Sequence, residues 1–471
     1  MKKITVLAFA VASLLAGAAV AGPKAELPKD LPPFAPDRPL PVPKIEKKTL
    51  ANGLQVWVVP RDGLPRVDAV LAVRGAGLAA DAADASGFAG LLAGLLSEGT
   101  EKRSSREIAE TAQGLGGSIG AGASADGISV YGNALASRAP QMLELLAEVA
   151  RMPSFPQNEV RLAQANATQG LKAQEAQPGF KAERALAQAI FGEHPYARTT
   201  LSQGGIAALT PAALKAAHAA RFRPDRSLLV VTGRITPAEA FRAVEAAFGD
   251  WRANATALAE TAPAPRATTP RHVLIDRPGS VQSAIRLGRP AVPASDADYI
   301  PLQLAGTVLG GSFSSRLMQN LREDKGYTYG ARGGLSAMRS GGRVAASADV
   351  RNEVTGAAIG EFVAEFRRMG EEPVPARELE DTKRYVAGGY LINNQMQGAV
   401  AATLASNWLV GLPAEFLGEY VPSIRRVDAA QVQAMGRKYF DPKSMSIVVV
   451  GDPKAVAGQL EAYGSFEQRD R

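Results

Sequence analysis

The stretch FRPDRSLLVVTG at 222–233 returns as FDPKSMSIVVVG at 440–451, displaced by a constant 218 residues. Both copies begin Phe-x-Pro, continue as an apolar strand and close on Gly. Their surroundings match too. Thr210-Pro211 and Asp428 are helix-start signals ahead of the copies, and Thr236-Pro237 and Asp452-Pro453 are helix starts behind them. A helix, strand and helix order repeated at one offset means two homologous halves, which restricts the chain to folds built by duplication. TAPAPRATTP at 261–270 is a linker by composition. The expected layout is an N-terminal domain at 44–255, a linker at 256–270 and a C-terminal domain at 271–465.

Within each half the signals do not alternate as regular βαβ units. Asn52-Gly53 is a hairpin turn between 49–51 and a strand at 54–59, and 67–73 alternates as a further strand. Two short strands are expected within 118–131, and apolar residues fall at helical spacing over 138–174. The second half shows strands at 281–287, 330–335 and 343–350, a helix from about Ile300, and long helices from about Glu353 that include 391–411. The expected class is therefore α+β, two homologous domains with mainly antiparallel sheets flanked by helices.

The 471 residues are 46% hydrophobic and 21% charged, the balance of a globular chain. The formal charge of +7 is spread over both halves, without the basic and aromatic stripes of a nucleic-acid binder. Cysteine is absent, which excludes disulfides, thiolate metal sites and a cysteine nucleophile. The three histidines, 194, 218 and 272, lack metal-ligand spacing. Lys2 and Lys3 precede an apolar run that ends in Ala19-Val20-Ala21, so 1–21 is expected to be a secretory signal peptide and the mature chain periplasmic or secreted, with no stable membrane insertion. Residues 22–43, with eight prolines, are expected to form an extended arm.

GFAGLLAGLLSEGT at 87–100 has Phe88, Leu91, Leu92, Leu95 and Leu96 at helical spacing, and predicts a buried helix of about three turns. Gly87, Gly90 and Gly94 each cost about 1 kcal/mol of helix propensity relative to Ala, so the glycines need a reason. Close packing is one. The other is descent from a helix that once carried chemistry. The stretch resembles the active-site helix of the inverted-zincin peptidases, the family of pitrilysin and mitochondrial processing peptidase, which runs Gly-x-x-His-x-x-Glu-His-x-x-x-x-Gly-Thr. Gly87, Gly99 and Thr100 keep that frame. The two His and the Glu, which in the family bind zinc and activate its water, are replaced by Gly90, Ala93 and Gly94. The family's third ligand, a Glu, falls near Gly170, where no carboxylate stands. GEHPYAR at 192–198 also resembles the family, with His194 expected to be structural.

LGGSFSSRLMQNLREDKGYTYGA at 309–331 is similar to the second-half domains of the family, where Leu-Arg-Glu is followed by Lys-Gly-x-x-Tyr. The resemblance implies that Arg322 and Tyr329 face a zinc site and stabilise the oxyanion of an attacked peptide carbonyl, with Tyr327 an alternative ring. The bland alternative pairs Arg322 with Glu323 and leaves Tyr329 in the core. The resemblance as a whole implies half of a clamshell: a zinc-free subunit of a heterodimeric periplasmic metalloendopeptidase that degrades unfolded peptides. This chain alone would be inactive. A homologous partner would hold the zinc, and Arg322 and Tyr329 would act in the partner's site. The competing expectation is a structural or assembly subunit of the cell envelope. A self-sufficient metallopeptidase would have to find ligands among three scattered histidines.

Overall fold

The computed structural model describes residues 43–469 apart from 254–255 and 257–258. The signal segment at 1–21 and all but Pro43 of the proline-rich arm lie outside the described residues. The first half forms β1 Glu46–Thr49, β2 Gln55–Pro60, β3 Arg66–Arg74, α1 Phe88–Leu95, α2 Ser105–Gly114, β4 Ser118–Ala123 and β5 Gly127–Leu135. It continues with α3 Ala139–Arg151, α4 Gln157–Glu175, α5 Pro178–Phe191, α6 Gln203–Ala207, α7 Pro211–Arg221, β6 Ser227–Gly233 and α8 Pro237–Phe248. The second half repeats the plan: β7 His272–Asp276, β8 Gln282–Ala291, α9 Tyr299–Gly306, β9 Ala331–Ala337, β10 Gly342–Arg351 and α10 Thr355–Glu371. Then come α11 Ala376–Asn393, α12 Gln397–Leu409, α13 Phe416–Arg426, α14 Ala429–Tyr439, β11 Ser446–Gly451, α15 Pro453–Leu460 and β12 Glu467–Arg469.

The strand orders are β1-β2-β6-β3-β5-β4 and β12-β7-β11-β8-β10-β9, the same succession in each half for the five inner and far strands, while the outer strand is the first of the chain in one sheet and the last in the other. The Phe-x-Pro repeat marks the strand at the heart of each sheet. β6 arrives from a helix and inserts between β2 and β3, parallel to the first and antiparallel to the second, and β11 does the same between β7 and β8. Antiparallel pairs predominate, and a further parallel pair joins β12 to β7. The helix starts expected around the repeat are present: Thr210 and Asp452 cap α7 and α15, while Thr236 and Asp428 close full capping boxes on α8 and α14.

Three expected helices are cut shorter. α1 has eight residues and stops at Leu95, because Gly99 and Thr100 turn away to bridge Ser104 and Pro153. The run over 138–174 is two helices, broken at 152–156 where Pro153 and Pro156 interrupt it. The stretch 391–411 also breaks, at Asn394, and its second part is α12.

α12 does not cover its own sheet. Val400, Leu404 and Trp408 pack on Trp57, Val70, Leu228 and Val230 of the first sheet, and the guanidinium of Arg74 stacks 3.8 Å above the Trp408 ring. Reciprocally, Leu186 and Ile190 of α5 lie on Val273, Ala284, Val448 and Val450 of the second sheet. The halves exchange helices. A polar clasp joins them a second time: buried Asp126, on the β4–β5 turn, accepts the Tyr196 hydroxyl at 2.5 Å and the Arg339 N–H at 3.0 Å, and the Ser340 N–H donates to the same hydroxyl at 3.0 Å. Burial raises both the Asp126 carboxyl and the Tyr196 phenol above their ordinary values. Ala264, in the connecting stretch, is buried and donates its N–H to the Ser340 carbonyl at 2.7 Å.

Candidate functional site

α1 is held from both ends by buried charge. At its start Asp81 accepts the Ala89 N–H at 3.1 Å on both oxygens and pairs with Arg221 at 2.9 Å. Arg221 also donates to the carbonyls of Ala76 and Ala80 at 3.2 Å. Burial pushes the Asp81 carboxyl up, and the Arg221 charge and the helix N–H groups pull against it. Past its end, the Thr100 hydroxyl donates to buried Glu148 at 2.5 Å, and Arg103 pairs with the same carboxylate. Gly87 has φ +85°, and a Cβ there would fall 2.6 Å from the Leu201 Cα. Gly99 has φ +149°, where a side chain is strained. Gly87, Gly99 and Thr100, the frame of the motif, therefore each have a physical reason to be what they are.

The positions inside the frame have none. α1 packs beside β4, β5 and α4, yet a Cβ built on Gly90 or Gly94 meets nothing within 4 Å, and the same holds for Gly170 on α4. Close packing therefore does not account for these glycines. Ala93 is buried in the first core. The face has room for side chains and carries none, so zinc does not fit this helix. Among the described residues no group of three or more His, Cys, Asp or Glu is placed to hold a metal ion.

The histidines serve elsewhere. His194 accepts the Tyr196 N–H at Nδ1, 3.2 Å away, and so presents a protonated Nε2 to the Ala262 carbonyl at 2.9 Å. His218 Nε2 lies 2.8 Å from the Ala150 carbonyl, with its pKa pushed down to about 4 by burial. His272 lies against Phe466.

The free space on α1 sets two expected outcomes. Replacing Gly90 and Gly94 together by Ala should raise stability by about 1–2 kcal/mol, since helix propensity is gained at sites with room for a methyl group; urea unfolding measures it. Restoring His, Glu and His at 90, 93 and 94 should give no zinc-dependent cleavage and a less stable protein. The third ligand would still be absent at Gly170, and a carboxylate replacing buried Ala93 costs roughly 2 kcal/mol or more. Metal content, a peptide assay and the same unfolding curve check it; robust cleavage would show that a third ligand lies elsewhere.

Arg322 and Tyr329 stand in the second half. The helical segment Met318–Asp324 ends in a turn closed by the Tyr327 N–H on the Leu321 carbonyl at 2.9 Å, with Gly326 at φ +62°. Thr328 then pins the chain on its way into β9: its hydroxyl lies 2.8 Å from the Asp349 carbonyl and accepts the Gly330 N–H at 3.1 Å. Tyr327 leans on the second core, whereas Tyr329 is 93% exposed. Arg322 lies 4.6 Å from the centre of the exposed Phe313 ring and 3.5 Å from Glu323. The pairing with Glu323 is therefore present but long, and Tyr329 is not a core residue. The partners of Arg322 are both in its own half, so the chain does not itself join this pair to α1.

Known proteins resemble this chain in sequence and in fold. The family model described as insulinase, peptidase family M16, matches residues 65–204, and the model described as the peptidase M16 inactive domain matches residues 208–386. Together they span more than half of the chain. This chain belongs to the M16 peptidase family. The M16 fold is repeated in the crystal structure of a peptidase M16 inactive domain from Pseudomonas fluorescens, with a TM-score of 0.81 and 27% identity over 87% of this chain and 98% of that one. An uncharacterized zinc protease, YmxG of Bacillus subtilis, is 25% identical over 403 residues, 84% of this M16 chain and 96% of the relative. The non-peptidase homolog YmxG of Helicobacter pylori is 21% identical over 82% of this chain and 88% of that one.

The supports of α1 leave no mark in the sequence. Asp81, Arg221, Glu148 and Arg103 lie far apart along the chain, and nothing in their local pattern distinguishes them as buried pairs. The glycines of the motif are the legible signal.

Proposed function

We propose that this chain is the zinc-free subunit of a two-chain M16 metalloendopeptidase, exported to the periplasm and acting on unfolded peptides. One observation carries the reading: α1 keeps the supports of an active-site helix while its open face, at Gly90 and Gly94, is bare. In this reading a homologous subunit holds the metal. This chain contributes chamber wall, with Arg322 and Tyr329 as hydrogen-bond donors to the carbonyl oxygen of a peptide bound in the partner's site. The solvent exposure of Tyr329 supports such a role, because its side chain is reachable by a group from outside the chain. A chamber that recognises extended backbone favours unfolded substrates over folded ones.

Purification from the native cell tests the assembly. Recovery of a similar-sized chain carrying His-x-x-Glu-His is the expected result. Repeated recovery of this chain alone would overturn the reading in favour of an envelope scaffold.

A further inference from the structure

A cleft of about 420 Å³ opens where the loop after α5 passes the end of β12. Lys181, Arg184 and Gln188 line it from one face of α5, Arg198 and Thr200 from the following loop, and Arg469 from β12. The cleft therefore straddles the seam between the halves. Four cations on its wall meet one carboxylate, Glu193. Two of the four are already paired: Arg184 with Glu175 at 3.3 Å, and Arg469 with Glu467 at 2.8 Å. The other two are not. Arg198 donates to the backbone carbonyl of Glu193 at 2.9 Å, and among the described residues neither it nor Lys181 has a carboxylate in ion-pair reach. Both are part-buried, so each has lost hydration that no counter-charge replaces.

We propose that this cleft binds a compact, soluble oxyanion carrying at least two negative charges, of the diphosphate or tricarboxylate kind. Lys181 and Arg198 meet one charged group, and Arg184 and Arg469 flank the other. A guanidinium fork matches the oxygens of phosphate and carboxylate alike, and the Gln188 amide and Thr200 hydroxyl add neutral donors beside it. The volume suits a small ligand and is too small for a folded macromolecule. Because the wall takes residues from both halves, occupancy tightens the seam.

Calorimetric titration of the full chain with pyrophosphate, and separately with citrate, tests the site at about 0.1 M salt, where diffuse attraction is screened beyond about 10 Å. The expected result is saturable binding of at least one of the two at one site per chain, with a melting temperature raised by about 3 °C at a ligand concentration 100-fold above Kd. Lys181→Ala with Arg198→Ala should weaken binding at least tenfold, while Arg377→Ala, at a 95% exposed side chain on α11, leaves it unchanged. If the double variant melts early without ligand, Lys181→Met alone must still weaken binding at least threefold. Absence of saturable heat with both probes, equal weakening by Arg377→Ala, or binding confined to phosphatidylglycerol vesicles would each overturn the proposal.

Discussion

Replacing Tyr329 with Phe in the reconstituted two-chain peptidase is expected to lower kcat on an unstructured peptide by on the order of 10²- to 10³-fold, the loss typical of one oxyanion donor. Fold and assembly should survive, because the ring makes no core contact that the hydroxyl supports: the side chain is 93% exposed. The partner's zinc content should not change. Arg322→Ala should raise KM as well as lower kcat, since a guanidinium holds a ground-state carbonyl as readily as a developing oxyanion. That variant also frees Phe313, whose exposed ring now lies against the guanidinium. Steady-state cleavage by the purified pair, with metal content and assembly mass measured alongside, decides between the outcomes. Undiminished turnover by the Tyr329→Phe complex would remove this residue from the chemistry and leave the scaffold reading as the better one.

Cutting the chain between its halves should have a larger effect, on folding itself. Expressed alone, residues 43–253 would present Trp57, Val59, Val70, Leu228 and Val230 to water, because the helix that covers them, α12, belongs to the other half. At about 1.5–3 kcal/mol for each large apolar side chain, the loss is on the order of 10 kcal/mol, comparable with the whole stability of an ordinary domain. The second half alone would bare Val273, Val448 and Val450, which α5 covers. Each fragment is expected to be aggregated or loosely folded by itself, and the two co-expressed should assemble into a soluble pair. Circular dichroism and co-purification of differently tagged fragments measure this. Two fragments that each melt cooperatively in isolation would show that the exchanged helices are dispensable.

That exchange marks the limit of what is legible in the sequence. The repeat at 222–233 and 440–451 reveals the duplication because a strand buried on both faces is written as an unbroken apolar run. Both copies are central strands, buried along their whole length. The capping residues are legible because a cap is a local event. An amphipathic helix, by contrast, states that one face is buried and is silent about which sheet buries it, so α5 and α12 read as parts of their own halves. The same run of buried residues holds a further clue, since a strand covered on both faces needs two layers of helices. At the candidate site the missing ligands are plain, as they are the identities of Gly90, Ala93, Gly94 and Gly170. That the first, third and fourth of these positions open onto free space is a property of the tertiary fold, because packing against distant segments leaves no local pattern.

The clasp of Asp126, Tyr196 and the Arg339–Ser340 backbone has a mechanical consequence. Together with the exchanged helices it ties the halves at separate places, and the connecting stretch is itself fastened through Ala264 to Ser340. Bending between the halves would have to break these contacts. If a peptide must enter between two M16 subunits, the opening motion falls on the contact between chains, and admission of substrate becomes a bimolecular property that responds to dilution rather than to bending of either subunit.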